Sequence, residues 1–186
     1  LRLSARAATE LSIKIKYFKK YLNENGMYVF TVNGFPYGHF HGKPVKKKVY
    51  QPDWSMKKRL EYTKLLGNIL ADLLPEKTFG SISTVPVTYG KILPDKAINN
   101  IIKCGGYFYQ LAKKTGKKIM LAIEPEPDCY LESAEDIIRF WKKLKLAGNK
   151  EIINFIGICL DTCHFACEFE DPLQVIIKLE SLNIPI

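Results

Sequence analysis

The sequence predicts an α/β fold with a parallel sheet, and within that class a (β/α)8 TIM barrel of which about five of the eight strand-helix units are present. Three observations carry this. Short apolar runs alternate with stretches of helical periodicity along the chain. No glycine-rich phosphate loop follows the first run, so the usual dinucleotide fingerprint of a doubly wound sheet is missing. The runs also end in polar or charged residues, namely Ser4 and Arg6, Asn33, Ser83 and Thr84, Glu124, and Asp161, which is where barrel enzymes place their chemistry.

Taken in order, the expected strands are 1–4, 27–33, 79–86, 118–124 and 155–161. The helix after the first closes at Gly26. After the second, Asp53 or Ser55 can cap a helix on which Leu65, Leu66, Ile69, Leu70, Leu73 and Leu74 recur at helical spacing until Pro75 stops it. The helix after the third closes at Gly116. After the fourth, Ser133 with Asp136 has the form of a capping box; apolar Ile137, Ile138, Trp141 and Leu144 follow, and Gly148 ends the helix. Asp171-Pro172 opens the last helix, with Asp at the cap and Pro at the first helical position. The chain opens on Leu1 inside an alternating apolar stretch and closes on Asn183-Ile-Pro-Ile186 in the manner of another strand's start. The expectation is a single partial barrel domain over residues 1–186 that lacks the first and the last strands.

A chain of 186 residues is long enough for one well-buried domain. Hydrophobic residues make up 47% and charged residues 25% of it, and no apolar run is long enough to span a bilayer. No stretch reads as a secretory leader. The five cysteines are odd in number and scattered, which points to a reducing, cytoplasmic setting. Cys159, Cys163 and Cys167 recur every fourth residue, whereas zinc and iron–sulfur sites pair cysteines two residues apart somewhere, so these read as packed free thiols. The formal net charge of +9 invites a nucleic-acid partner. Its one dense run is Lys43-Pro-Val-Lys-Lys-Lys48, while Lys57-Lys58-Arg59, Lys113-Lys114 and Lys142-Lys143 fall on solvent faces of expected helices, so nucleic acid is not favoured.

The stretch Ile158-Cys-Leu-Asp-Thr-Cys-His164 carries the chemistry. A parallel strand buried on both faces reads as continuous apolar residues, and the run from Phe155 does so until Asp161 interrupts it. A carboxylate at a strand end is expensive unless paired or bound to a cation. Glu124 closes the preceding run in the same way, and His164 lies three residues beyond Asp161. Two carboxylates and an imidazole converging at a barrel mouth suit Mn²⁺, Mg²⁺ or Zn²⁺. Ordinary structural roles compete: Asp161 capping the next turn, Glu124 paired with a lysine or Arg6, and His164 simply hydrogen-bonded.

The segment Gly157-Ile-Cys-Leu-Asp-Thr-Cys-His164, with Glu124 before it, resembles the xylose isomerase-like TIM-barrel superfamily of sugar phosphate isomerases and epimerases and of the endonuclease IV (AP endonuclease family 2) group. Leu1-Arg-Leu-Ser-Ala-Arg-Ala7, the stretch from Tyr28 through Asn33-Gly-Phe-Pro-Tyr-Gly38 and His41-Gly42 to Val49-Tyr-Gln-Pro-Asp-Trp54, Gly80-Ser-Ile-Ser-Thr-Val-Pro86 and Leu121-Ala-Ile-Glu-Pro-Glu-Pro127 are similar to EboE-type metabolite-traffic proteins of that superfamily. These belong to bacterial gene clusters that handle prenylated or indolic secondary metabolites. The resemblance implies that Glu124 and Asp161 are metal ligands and that His164 binds metal or substrate. The further His and Glu that the superfamily supplies from its last two strands have no counterpart in residues 1–186.

Around the mouth, His39 and His41 in Phe35-Pro-Tyr-Gly-His-Phe-His41 can line a substrate pocket with Tyr37, Phe35 and Trp54 as stacking surface, joined by Arg6, Asn33 and Ser83 from the strand ends. Lys46 to Lys48 can attract an anionic ligand. Glu124, Glu126 and His164 are the candidate acid-base groups, although the prolines flanking Glu126 equally suit a rigid turn. Three functions follow: a divalent-metal isomerase or epimerase acting on a polyol- or sugar-like metabolite, a non-catalytic carrier of a prenylated metabolite, and an abasic-site nuclease. The last gains from the positive charge, but the third strand ends in Ser83-Thr84 where a multi-zinc cluster needs histidine.

Overall fold

A computed structural model describes residues 1–38 and 46–186 of the chain, with the side chains of Lys46 and Lys47 set aside. Its elements in order are α1 (Ala5–Glu24), β1 (Thr31–Asn33), a 3₁₀ turn (Lys46–Tyr50), α2 (Lys57–Leu73), β2 (Gly80–Thr84), α3 (Ala97–Thr115), β3 (Ile119–Ile123), α4 (Ala134–Ala147), α5 (Lys150–Ile153), β4 (Ile156–Ile158), α6 (Thr162–Cys167) and α7 (Pro172–Ser181). The four strands form one sheet in the order β1-β2-β3-β4, every pair parallel. Sequential parallel strands joined by helices are the unit from which a barrel wall is built.

Both outer strands carry a further stretch alongside. The Leu1 amino group donates to the Thr31 carbonyl at 3.0 Å and Asn33 N–H to the Leu1 carbonyl at 2.7 Å, with Arg2 bridged in parallel to Asn33. Ile158 N–H donates to the Pro185 carbonyl at 2.9 Å. The expected strand 1–4 is therefore a single bridge, because Ser4 turns away to cap α1, its Oγ accepting from Ala7 N–H at 3.2 Å. Strand 27–33 shortens to Thr31–Asn33, since Met27, Tyr28 and Phe30 have exposed side chains with nothing to bury against. Strand 155–161 shortens to Ile156–Ile158 because Asp161 becomes the N-cap of α6.

The alternation of the strands separates two environments. Val32, Ile82, Leu121, Ile123, Ile156 and Ile158 are buried in the core cluster with Leu66, Leu70, Ile101 and Phe108 of α2 and α3. The alternate positions Thr31, Asn33, Ser81, Ser83 and Ala122 face the other way and line a groove of about 510 Å³ on the concave side, with Cys159 beside them. Glycine marks where the layers approach most closely: a Cβ at Gly67 would strike the Phe108 ring between α2 and α3. The capping box at Ser133–Asp136, the left-handed Gly116 cap (φ 72°) and the Asp171-Pro172 start are as expected. The Asp53 or Ser55 cap is not. Helix α2 begins after Met56 with no side-chain cap, because the Asp53 carboxylate is taken up by Ser55 N–H at 2.9 Å, Ser55 Oγ at 2.5 Å, Thr88 Oγ1 at 2.9 Å and Gln51 Nε2 at 3.3 Å.

A buried cation fixes the loops above this sheet: Arg59, expected on a solvent face with Lys57 and Lys58, instead turns inward to buried carbonyls. The Arg59 guanidinium is fully buried; Nε donates to the Pro52 carbonyl at 2.7 Å, and Nη1 donates to the carbonyls of Gly34 at 2.8 Å and Phe35 at 3.2 Å. Burial pulls its pKa down to about 10, and the rings of Tyr37 and Tyr62 lie 6.0 and 5.6 Å from its carbon. Replacing Arg59 by Leu leaves those buried carbonyls unpaired, so we expect a loss of about 2 kcal/mol in urea denaturation. Equal stability of parent and Arg59→Leu would show that the guanidinium is not the clamp.

Candidate metal centre

Strand β3 places Ile119, Leu121 and Ile123 against the helices and Met120 and Ala122 on the concave face, so Glu124, next in that alternation, points into the mouth. Strand β4 pairs Ala122 with Gly157, which brings Cys159 beside Glu124; Cys159 N–H donates to the Ile123 carbonyl at 2.8 Å. Asp161 follows two residues on. The outcome is a group in which one ligand atom each from Glu124, Asp161 and His164 all lie within 4.8 Å of one another.

Each side chain is held by something else as well. Asp161 caps α6, with Oδ1 accepting from Cys163 N–H at 2.8 Å, which leaves Oδ2 turned toward His164 Nε2 at 3.6 Å. The His164 Nδ1 lies 2.8 Å from the Pro125 carbonyl. A carbonyl only accepts, so Nδ1 carries the proton, and in the neutral ring Nε2 presents its lone pair to the mouth, the form a metal ligand needs. Glu124 N–H donates to the Thr84 carbonyl at 3.0 Å, and among the described residues no lysine or arginine pairs with its carboxylate. Burial, then the charge of Glu126, pushes Glu124 up to about 7. Glu126 is likewise raised, chiefly by burial, while its hydrogen bond from Tyr50 Oη at 2.6 Å opposes the shift. Two half-buried carboxylates without a fixed cation, beside a correctly polarised imidazole, form a donor set that fits a hard divalent ion. The capping and hydrogen-bonding roles of Asp161 and His164 are present too, and they orient the same atoms.

The remaining expectations divide. Asn33 and Ser83 lie on the concave face level with Ala122, one step below Glu124, and line the groove. Arg6 does not join them: it lies on the exposed side of α1 in an ion pair with Glu10 at 2.8 Å. Trp54 is fully buried, its backbone tied to Val87 and Asn100, so it offers no stacking face. Tyr37 packs edge-on against Tyr62 at 5.3 Å and lines a cleft with Ala5, Thr9 and Lys57 between α1 and α2. His39 and His41 lie outside the described residues. The aromatic surface near the mouth is instead Phe35, Tyr50 and Tyr89, with ring centroids 5.6 and 5.4 Å apart in succession. Tyr50 and Tyr89 lie inside expected strand-to-helix loops, and the partners that give them a role are distant in sequence, so spacing alone does not single them out.

No protein-family model matches this sequence, and a comparison with curated proteins gives no match. Solved structures do match. One is a xylose isomerase-like TIM barrel protein from Mycobacterium smegmatis in complex with magnesium, with a TM-score of 0.58 and 14% identity over 89% of this chain and 52% of that one. Another is the probable 3-DHS dehydratase AsbF involved in petrobactin synthesis from Bacillus anthracis, with a TM-score of 0.58 and 11% identity over 97% of this chain and 58% of that one. The class is thereby defined: the chain has the α/β fold of xylose isomerase-like TIM barrels and spans just over half the length of these two structures.

The shift at Glu124 has a measurable sign. Its folded value of about 7 lies above the ordinary 4.5, so its contribution to stability is present at low pH and is lost as pH rises through the folded value. Without metal, Glu124→Gln should therefore melt above the parent at about pH 8, and the gap should shrink toward about pH 5. A variant that melts below the parent at the higher pH would show that the ionised carboxylate is not strained.

Proposed function

We propose that this chain is part of a divalent-metal-dependent isomerase or epimerase-like barrel acting on a small polyol- or sugar-like metabolite. One observation carries the reading: Glu124, Asp161 and His164 converge within 4.8 Å at the strand ends of a fold whose structural neighbours are xylose isomerase-like barrels. Glu124, Asp161 and His164 would hold the ion, and Mg²⁺, Mn²⁺ and Zn²⁺ all suit them. A bound ion supplies Lewis-acid polarisation of adjacent substrate oxygens. Glu126 lies outside the ligand group and is the carboxylate we assign to moving a proton on the substrate. Asn33 and Ser83 supply hydrogen bonds from the concave face, and the inclined rings of Phe35, Tyr50 and Tyr89 supply aromatic contact.

In this reading residues 1–186 form a single domain that is one part of a barrel. The resemblance of Asn33-Gly-Phe-Pro-Tyr-Gly38 and its companions to EboE-type proteins supports a role in secondary-metabolite handling. Five free cysteines support a reducing, cytoplasmic setting. No described helix is long and apolar enough to cross a membrane.

Metal content tests this directly. The parent should retain one divalent ion after desalting, and Glu124→Gln and Asp161→Asn should each weaken Mn²⁺ binding by about tenfold or more. With Mn²⁺ present, carbon-bound hydrogen of at least one member of a sugar and polyol panel should exchange with deuterated solvent. A parent that binds no ion sinks the metal reading; binding without any exchange sinks the proton-transfer step.

A further inference from the structure

Glu126 stands two residues beyond Glu124 and brings a third carboxylate to the mouth. It is close enough that its charge raises Glu124, and that His164 and Asp161 act on it in turn. Its oxygens nevertheless fall outside the group formed by Glu124, Asp161 and His164. The backbone there has little freedom: Glu126 sits between Pro125 and Pro127, and its N–H donates to the Leu131 carbonyl at 3.0 Å. The side chain is left to decide where the carboxylate goes, and among the described residues one hydrogen bond holds it. Tyr50 Oη donates to Glu126 Oε2 at 2.6 Å from a loop 76 residues away. The Tyr50 ring is itself fixed, packed edge-on to Phe35 at 5.6 Å and against Tyr89 at 5.4 Å.

We propose that Tyr50 is a positioning residue whose hydroxyl latches Glu126 away from Glu124, Asp161 and His164, so that Glu126 stays a substrate-facing base instead of becoming a fourth protein ligand to the ion. The inference rests on the metal reading above. It follows from reach and charge: a flexible carboxylate next to a divalent ion coordinates it unless another strong donor holds it. Tyr50 is that donor, and its phenol stays protonated because burial raises its pKa above the ordinary value.

The test uses Mn²⁺ alone, with affinity from titration and inner-sphere water counted by proton relaxation. In Tyr50→Phe, which keeps the ring packing, Glu126 is released; Mn²⁺ should bind about tenfold tighter and lose one coordinated water. Tyr50→Phe/Glu126→Gln should match Glu126→Gln alone in both values. Glu126→Gln alone should keep the parent's count of coordinated waters, whatever its charge contributes to affinity. Unchanged or weaker binding in a folded Tyr50→Phe overturns the latch, as does a gain of one coordinated water in Glu126→Gln, which would mean that Glu126 already ligates. A parent that binds no Mn²⁺ overturns the metal reading and the latch together, whereas a parent that binds with an inert Tyr50→Phe overturns the latch alone.

Discussion

The register of β3 against β4 is the constraint on which the site depends. Leu121 pairs with Ile156 and Ile123 with Ile158, and all four side chains are buried. A slip by one residue would turn either strand over and move its apolar set to the concave face. At about 1.5–3 kcal/mol for each buried aliphatic side chain, that exchange is comparable to the whole stability of a domain. Glu124 and Asp161 are carried by this register: the same parity that buries Ile123 and Ile158 aims the carboxylates at the mouth. The direction of the two carboxylates is thus a by-product of core packing, while His164 reaches them from α6, held by the Pro125 carbonyl at 2.8 Å.

The other wall of the mouth is set differently. The described parts of the chain between β1 and α2 are held by two buried polar hubs. Arg59 gathers the carbonyls of Gly34, Phe35 and Pro52, while Asp53 gathers Ser55, Thr88 and Gln51. Tyr62 adds bonds to the carbonyls of Leu3 at 2.5 Å and Pro36 at 3.0 Å. Hydrogen bonds to a charged group are the stronger kind, and a fully buried one has few alternative partners. These hubs fix Phe35 and the approach to Tyr50, and so indirectly the position of Glu126.

This difference explains what the sequence discloses and what it hides. Short apolar runs made β2 and β3 legible to within a residue or two, and they identified Glu124 and Asp161 as interruptions. Helix ends marked by local chemistry, such as Ser133 with Asp136, were equally plain. The loops were opaque because their order comes from distant partners. Trp54 looked like a stacking surface but is consumed by the core, and Asp53 looked like a helix cap but serves Thr88, 35 residues away. Arg6 looked like a strand-end residue, yet α1 begins at Ala5 and turns it outward. Tyr50 stands in the 49–54 stretch that carries the family resemblance, but its role is hidden because its partner Glu126 lies 76 residues off.

Charge sets the character of the mouth. The chain carries a formal +9, yet Lys57, Lys58, Lys113, Lys114, Lys142 and Lys143 are all exposed on helices. Among the described residues, the mouth holds Glu124, Glu126 and Asp161 with His164 as their potential positive partner. Two unit charges about 5 Å apart in a medium of effective dielectric constant about 20 repel by roughly 3 kcal/mol, so three such carboxylates cannot all ionise cheaply. The protein's own relief is partial: Tyr50 serves Glu126, Cys163 N–H serves Asp161, and Glu124 is left with the raised pKa. A phosphate-rich partner would meet the same repulsion at this face. In the function proposed above, a divalent cation would relieve it, compensating charge that no described lysine or arginine pairs with and favouring the ionised form of Glu124.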